Sequence, residues 1–187
     1  ILSVMINYKL NKSIVLVGLM GAGKSSVGKR LSEEIKVPFV DSDGEIELAA
    51  GMTISEIFDK FGEPYFRAGE EKVIARLLSG QPQIIASGGG AFMSEKNRLA
   101  IQLKGVSLWL KADFETLWER VQGKRTRPLL TVKDPQQVLQ RLIKEREPIY
   151  KTADIIVQSK KYGSHASMVS KLINILNSYG ELEKSNA

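Results

Sequence analysis

One stretch of the chain, Gly18-Leu19-Met20-Gly21-Ala22-Gly23-Lys24-Ser25, matches the pattern G-x-x-x-x-G-K-[S/T] at every required position. It follows a β-branched run at residues 14–17, which predicts a buried strand. After it, apolar residues recur every four positions on one predicted helix face, at Val27, Leu31 and Ile35. The stretch therefore joins a strand to a helix, which is the context in which this pattern forms a phosphate-binding loop.

The residue types in the loop suit a nucleoside triphosphate with magnesium. Glycines allow a tight turn that aims backbone N–H groups at phosphate oxygens, and the following helix adds its positive end. Lys24 would reach the β- and γ-phosphates, and Ser25 would offer its hydroxyl to Mg²⁺. A glycine-rich turn with a chance Lys-Ser pair is the alternative, which the flanking strand and helix disfavour. The residues expected to bind ATP here are Gly21, Ala22, Gly23, Lys24, Ser25 and Ser26.

Strands and helices alternate along the rest of the chain. Further short apolar runs predict strands at residues 37–40, 84–86, 106–110 and 154–158. Helical patterns follow the loop and then occupy residues 45–50, 55–61, 63–78, 113–121, 134–147 and 167–176. Such alternation predicts an α/β fold, a five-stranded parallel sheet flanked by helices on both faces. Ligands would bind at the carboxyl ends of its strands.

We expect a single domain, because 187 residues without a repeat or linker leave room for little more than a small lid. Its core would span residues 12–176. A mobile lid is predicted at residues 123–133, which contain Gly, Pro and basic residues but no apolar period. The polar tail, residues 180–187, is expected to fray.

Composition excludes several classes of protein. The chain has no cysteine, which excludes a disulfide scaffold, a thiol nucleophile and zinc–thiolate or iron–sulfur sites; its single histidine, His165, excludes a multi-histidine metal site. No apolar run approaches the roughly 20 residues that cross a bilayer. No secretion signal is apparent, so a cytoplasmic location is expected. The basic residues behind the net charge of +6 are scattered, which favours small anions over nucleic acid as partners.

The carboxylates of Asp41-Ser42-Asp43 follow the second predicted strand, whereas the third predicted strand ends without an acid. On an extended chain, side chains two residues apart face one side. One carboxylate could hold Mg²⁺ through water while the other accepts a hydroxyl proton. A helix N-cap at Ser42 or Asp43 is the alternative. The nearby phosphate loop favours the functional interpretation.

Three further basic positions could face an anionic substrate. Arg67 and Glu70 share one helix face, either as a surface ion pair or with Glu70 orienting Arg67 toward an acceptor. Arg146 ends a predicted helix, where a cation also suits the helix dipole, and both interpretations stay open. Arg127 lies in the predicted lid and could close over phosphates. Arg125 lies there too, so charge alone does not decide between a closing and a solvated arginine.

Three glycines, Gly88-Gly89-Gly90, stop the third predicted strand. Three glycines in a row are costly in conformational entropy, so a simple turn explains them poorly. Their backbone N–H groups and the close approach that they allow favour a contact with substrate.

These segments together resemble the shikimate kinase family, which has the nucleoside-monophosphate-kinase-like P-loop fold. The resemblance runs from about residue 12 to residue 176. Many families share the phosphate loop, so the specific part is the combination of five other segments. They are Asp41-Ser42-Asp43, Phe66-Arg67 with Glu70, Gly88-Gly89-Gly90, Arg127-Pro128-Leu129 and Arg146-x-Pro148-x-Tyr150.

The resemblance implies an ATP-dependent kinase that converts shikimate to shikimate 3-phosphate in chorismate and aromatic amino-acid biosynthesis. It implies substrate-binding helices at residues 43–78. Asp43 would bind the acceptor hydroxyls and serve as the candidate base, while Arg67 and Arg146 would grip the carboxylate. The backbone contacts to shikimate would come from Gly88, Gly89 and Gly90.

On the nucleotide side, the resemblance implies Arg120 beside the adenine and Arg127 over the phosphates. Asp41 would join Ser25 in the Mg²⁺ shell, and Lys24 and Arg127 would act with the base in catalysis. Residues 159–164 are expected to form the adenine loop, without an assigned residue.

Two other functions stay in view at this point. A kinase of the same fold could act on gluconate or on a nucleotide, because an arginine pair alone does not exclude another hydroxy-carboxylate. A P-loop binding module without catalysis would lack Asp43, Arg67 or Arg127, and all three are present. ATP and shikimate are the expected partners, without nucleic acid or membrane, and a monomer is expected.

Overall fold

Five parallel strands form the central sheet of the computed structural model, which describes residues 7–122, 134–159 and 165–185. The elements in chain order are β1 Asn7–Leu10, β2 Ser13–Val17, α1 Lys24–Ile35, β3 Phe39–Asp41, α2 Ser42–Ala50, α3 Ile54–Leu78, β4 Ile84–Ala86, a 3₁₀ turn at Ala91–Met93, α4 Glu95–Lys104, β5 Gly105–Lys111, α5 Phe114–Val121, α6 Pro135–Tyr150, β6 Ile155–Gln158, α7 His165–Tyr179 and β7 Leu182–Ser185. The sheet order is β3-β4-β2-β5-β6, with every neighbouring pair parallel. The predicted five-stranded parallel sheet is confirmed.

Helices cover both faces of this sheet because its crossovers run in two directions. From β2 the chain crosses over β4 to β3, whereas the later connections run the other way, from β3 through β4 and β5 to β6. Right-handed crossovers in opposite directions place their helices on opposite faces. Accordingly α1 packs with α7, and α3 packs with α4.

The central strands are buried because their sequences are apolar on both faces. All residues of β2 and β4 are buried, as are the first six residues of β5. A parallel sheet covered on both faces requires such runs, since neither face meets water. Because the strands are parallel, their carboxyl ends lie at one edge of the sheet.

The long helix α3 contains a break where two separate helices were predicted. Gly62 has φ 78° and ψ 172°, which are not helical values, and Pro64 follows it. The predicted segments 55–61 and 63–78 therefore correspond to the two halves of α3. The second half carries Arg67 and Glu70, so the break sets the direction from which these side chains approach the sheet.

The ends of the described chain pair with each other, in contrast to the frayed tail expected from residue 180 onward. β1 and β7 form a small antiparallel sheet in which Leu10 lies opposite Leu182. Both leucines are buried, at 4 % and 2 % exposure. A single apolar residue in a polar tail gives little local signal, and its partner lies near the other end of the chain.

One helix, α4, was not predicted, and another, α6, is longer than predicted. α4 gave no clear pattern because most of its residues are polar, and only Asn97 and Ile101 are buried. α6 continues through Pro148 to Tyr150 instead of ending at residue 147. Arg146 and Tyr150 are therefore one helical turn apart on the same face.

The predicted lid, with Arg127, and residues 160–164 of the expected adenine loop lie outside the described residues. Among the helices that are described, none has both the length and the apolar character that crossing a membrane would require.

Candidate active site

The phosphate loop lies between β2 and α1, as predicted. Gly21 and Gly23 have φ values of 82° and 95°, in the left-handed region that favours glycine. The Lys24 side chain is buried and folds over the loop. Its Nζ donates to the carbonyl oxygens of Gly18 at 2.7 Å and Leu19 at 3.0 Å. These bonds hold the ammonium against the loop, beside the start of α1.

Ser25 and Asp41 face each other across the entrance of this loop. Ser25 Oγ donates to Asp41 Oδ2 at 2.6 Å. Mg²⁺ prefers oxygen ligands and is often held by one or two carboxylates together with substrate phosphates. Within the described ranges, no cluster of three or more acidic or histidine side chains could hold a metal by itself. The hydroxyl and the carboxylate supply two oxygen atoms, which fits a cation that is bound jointly with nucleotide phosphates.

Asp41 and Asp43 reach the site in a different way from the one predicted. Asp41 ends β3 in an extended conformation and caps α2, because its Oδ1 accepts from the N–H of Asp43 at 3.1 Å. Asp43 lies in the first turn of that helix. The expectation that both carboxylates project from one extended segment is wrong. The capping alternative applies to Asp41 and not to Ser42 or Asp43.

A cavity of about 540 Å³ at the carboxyl edge of the sheet joins these groups. Its lining includes loop residues 21–26, Asp41, Asp43, Gly89 and Arg120. The phosphate loop and Asp43 thus share one space. Arg67 and Arg146 are outside this lining and lie around the glycine turn described next.

Side chains from two helices pack against the backbone of Gly88-Gly89-Gly90. A Cβ atom at Gly88 would lie 2.6 Å from Asp43 Oδ1 and 3.0 Å from Glu70 Oε1. One at Gly90 would lie within 2.6–2.8 Å of the Arg67 guanidinium. The N–H of Gly88 donates to Ser42 Oγ at 3.1 Å. Two carboxylates and a guanidinium therefore lie so close to Gly88 and Gly90 that a larger residue at either position would displace these side chains.

Arg67 is held by two acids on its own helix. Its guanidinium contacts Glu70 Oε2 at 2.8 Å and Glu63 Oε1 at 3.0 Å. Glu70 is fully buried, so the pair with Arg67 is not the surface ion pair of the alternative interpretation. Burial raises the pKa of Glu70, against the opposing effects of Arg67 and, more weakly, Arg146; Asp43 raises it further. These influences place two acids and two arginines in one electrostatic cluster.

Arg146 and Tyr150 reach the same glycine turn from α6. Arg146 Nη1 donates to the carbonyl oxygen of Gly89 at 2.9 Å, and Tyr150 Oη donates to that oxygen at 2.5 Å. Arg146 therefore points toward the site rather than only balancing the end of its helix. Tyr150 was not predicted as a site residue. Its spacing of four from Arg146 would have indicated it, had the helix been predicted to continue past Pro148.

Arg120 lies at the nucleotide side of the cavity. Its Nη1 donates to the carbonyl oxygen of Gly21 at 3.2 Å and lies 3.4 Å from Ser159 Oγ. Ser159 opens the segment expected to contact the adenine. The arginine thus connects the phosphate loop to the strand end from which that segment leaves.

Comparison with known proteins gives a consistent result. A sequence profile described as shikimate kinase matches residues 20–177. The shikimate kinase of Bradyrhizobium diazoefficiens is 51 % identical over 168 residues, which cover 90 % of this chain and 81 % of that protein.

Solved structures agree at the level of the fold. A shikimate kinase from Acinetobacter baumannii in complex with shikimate has a TM-score of 0.86 and 37 % identity, covering 90 % of this chain and 94 % of that one. A gluconokinase from Sinorhizobium meliloti has a TM-score of 0.59 at 19 % identity, with 92 % and 95 % coverage. At that identity the second likeness shows a common fold alone.

Proposed function

The chain belongs to the shikimate kinase family and is an ATP-dependent kinase, and we propose which of its residues carry out each part of phosphoryl transfer to shikimate. The reaction moves the γ-phosphoryl group of ATP to the 3-hydroxyl of shikimate and yields ADP and shikimate 3-phosphate. The lining of the cavity includes both the phosphate loop and Asp43. Donor and acceptor can therefore meet in one space.

The acceptor side is built to bind an anion with neighbouring hydroxyl groups. Arg67 and Arg146 approach the glycine turn from α3 and α6. Two planar guanidinium groups suit a carboxylate, because each can donate two parallel hydrogen bonds to it. Asp43, in the first turn of α2, then faces the hydroxyl groups. We assign shikimate contacts to these three side chains and to the backbone of residues 88–90.

Asp43 is the candidate base. As the acceptor oxygen bonds to the γ-phosphorus, the bond from that phosphorus to the bridging oxygen of ADP breaks, and the hydroxyl proton passes to the Asp43 carboxylate. Phosphoryl transfer depends chiefly on position and electrostatics. A chain without cysteine and with one histidine can therefore perform it.

The phosphate side supplies positive charge and fixed amides. Lys24, held at the loop by two carbonyl groups, is placed to turn toward the β- and γ-phosphates. Ser25 and Asp41 would hold Mg²⁺, which when bound neutralises charge on the phosphates. Arg120 would border the nucleotide base. Arg127, outside the described residues, stays a prediction for the transferred phosphoryl group.

This assignment rests on one observation: charged side chains from three helices meet at the turn formed by residues 88–90. Asp43, Glu70 and Arg67 lie against its α-carbons, and Arg146 binds one of its carbonyl groups. Four charged side chains around three consecutive glycines suit a small polar anion better than they suit an apolar or bulky ligand.

The direct test is release of ADP from ATP and Mg²⁺ with one acceptor at a time. We expect release with shikimate and none above background with gluconate, nucleoside monophosphates or no acceptor. Release with gluconate instead would keep the fold and the phosphate loop but overturn the roles of Arg67 and Arg146. Bound ATP without any release would favour a binding module.

Ser25→Ala should raise the Mg²⁺ concentration needed for half-maximal activity by about tenfold, because a charge-assisted ligand contact is lost. The measurement is a Mg²⁺ titration at saturating ATP and acceptor. Ser170→Ala, at an exposed position on α7, is the matched control and should titrate like the wild type. An unchanged Mg²⁺ requirement in Ser25→Ala would remove Ser25 from the metal site.

We place this reaction in chorismate and aromatic amino-acid biosynthesis, and we place the protein in the cytoplasm, where ATP is supplied. We also propose that the protein acts as a monomer.

A further inference from the structure

Tyr150 has a buried hydroxyl group at the edge of the site that the assigned roles do not use. The residue is 1 % exposed, and its ring stacks on Trp109 and Phe92, with centroids 5.6 Å and 6.2 Å apart. These rings fix the direction of the phenol. Its Oη consequently reaches the carbonyl oxygen of Gly89, at 2.5 Å.

The Gly89 carbonyl therefore accepts from two donors of α6, Tyr150 and Arg146. In a trans peptide the C=O and the N–H of the next residue point in opposite directions. Fixing the carbonyl of Gly89 toward α6 thus fixes the N–H of Gly90 away from it. The α-carbons of Gly88 and Gly90 lie against Asp43 and Arg67, respectively.

Gly90 is a buried residue that lies beside the Arg67 guanidinium. Among the described residues, no group accepts a hydrogen bond from its N–H. A buried backbone donor is normally satisfied by protein, water or ligand. The Arg67 guanidinium, which lies beside Gly90, is one of the groups assigned to the acceptor.

We propose that Tyr150 is a positioning residue for the acceptor: its hydroxyl holds the Gly89 carbonyl so that the Gly90 amide faces the substrate. This inference rests on the proposed acceptor pocket. Arg146 alone would hold the carbonyl less well, because the same guanidinium is assigned to the acceptor carboxylate. Tyr150 has no such second task.

The environment of Tyr150 suits a permanent donor. Burial raises the pKa of its phenol, against the opposing effect of Arg146. The group therefore stays protonated throughout the neutral range and well into the alkaline range. A neutral donor also holds the carbonyl without adding charge beside the two arginines.

Tyr150→Phe keeps the ring stack and removes only the donor. We expect the KM for shikimate to rise about five- to tenfold, the loss of one hydrogen bond, with the KM for ATP within about twofold of wild type. Tyr179→Phe, at a half-exposed position on α7, is the control and should change neither KM. An unchanged shikimate KM, or an equal rise in both KM values, would overturn the proposal.

Restoring a donor separates hydrogen bonding from packing. With 4-aminophenylalanine at position 150, the para substituent can donate again, and the shikimate KM should return to within about twofold of wild type. A KM that stays at the Tyr150→Phe level would show that the donor is not what matters, against the proposal.

A measurement without turnover distinguishes this inference from the proposed function. In the ligand-free protein, the backbone ¹⁵N–¹H resonance of Gly90 should shift or broaden in Tyr150→Phe relative to wild type and to Tyr179→Phe. An unchanged resonance would overturn the positioning role even if the kinase reaction is present. Wild-type protein without shikimate-dependent turnover would instead defeat the proposed function, whatever the resonance does.

Discussion

Asp43→Asn lowers kcat for shikimate phosphorylation by about 10²- to 10⁴-fold, the usual contribution of a positioned general base, while ATP affinity stays within about twofold. The amide has nearly the same shape as the carboxylate but cannot take up the hydroxyl proton. We would measure kcat by ADP release at saturating substrates, and ATP affinity by calorimetry.

The fold should survive this substitution, because the side chain that caps α2 is Asp41 and not Asp43. Losing one acidic group from the first turn of a helix costs only about 0.3–1 kcal/mol. Asp59→Asn, at an exposed position of α3, is the matched control. A variant with asparagine at position 43 that turns over at the wild-type rate would show that Asp43 is not the base.

Arg67→Ala raises the KM for shikimate by about 100-fold, as expected when a charged hydrogen-bonding partner of a carboxylate is lost, and it leaves the KM for ATP near the wild-type value. It also lowers stability, because Glu70 stays fully buried after its nearest cation is removed. Initial-rate kinetics and thermal unfolding measure the two effects separately.

A double variant further separates the effect on the shikimate KM from the effect on stability. Arg67→Ala with Glu70→Gln removes the unpaired buried charge, so most of the lost stability should return while the shikimate KM stays high. Arg141→Ala, from an exposed ion pair with Glu145 on α6, should change neither quantity. If shikimate and ATP were weakened equally by Arg67→Ala, Arg67 would lie outside the acceptor pocket.

The sheet could be predicted from sequence because each central strand is a short apolar run, buried on both faces, that ends at glycine or at a polar residue. The phosphate loop was predictable for a similar reason, since its pattern is local and continuous. Burial and chain direction then place the ends of such strands at one edge. Sequence alone could therefore place Lys24 near Asp43.

Contacts between distant segments were harder to predict. The pairing of β1 with β7 depends on one buried leucine in each strand, in segments more than 160 residues apart. The polar sequence of α4 hides a helix that buries only two side chains. In neither case is the local sequence pattern strong enough to predict a strand or a helix instead of a loop.

In the candidate site, too, local patterns were predictable and contacts between distant segments were not. The residue types around Gly88-Gly89-Gly90 were identified from their motifs, but their geometry was not. An extended Asp41-Ser42-Asp43 was expected, whereas a helix begins at Ser42 because the Asp41 side chain satisfies a first-turn amide. Because Pro148 was expected to end α6, Tyr150 was not predicted to share a helix face with Arg146. The helix tolerates Pro148 in its last turns, where only one backbone bond is lost.

The stack of Trp109 on Tyr150 gives the acceptor pocket an optical readout. The chain has two tryptophans. Trp109 is buried beside the phenol that binds the glycine turn, and Trp118 lies on α5. Indole emission responds to the electric field of nearby charges, and a carboxylate that enters between Arg67 and Arg146 changes that field. In a Trp118→Phe background, the fluorescence of Trp109 therefore titrates acceptor binding without labels and without turnover.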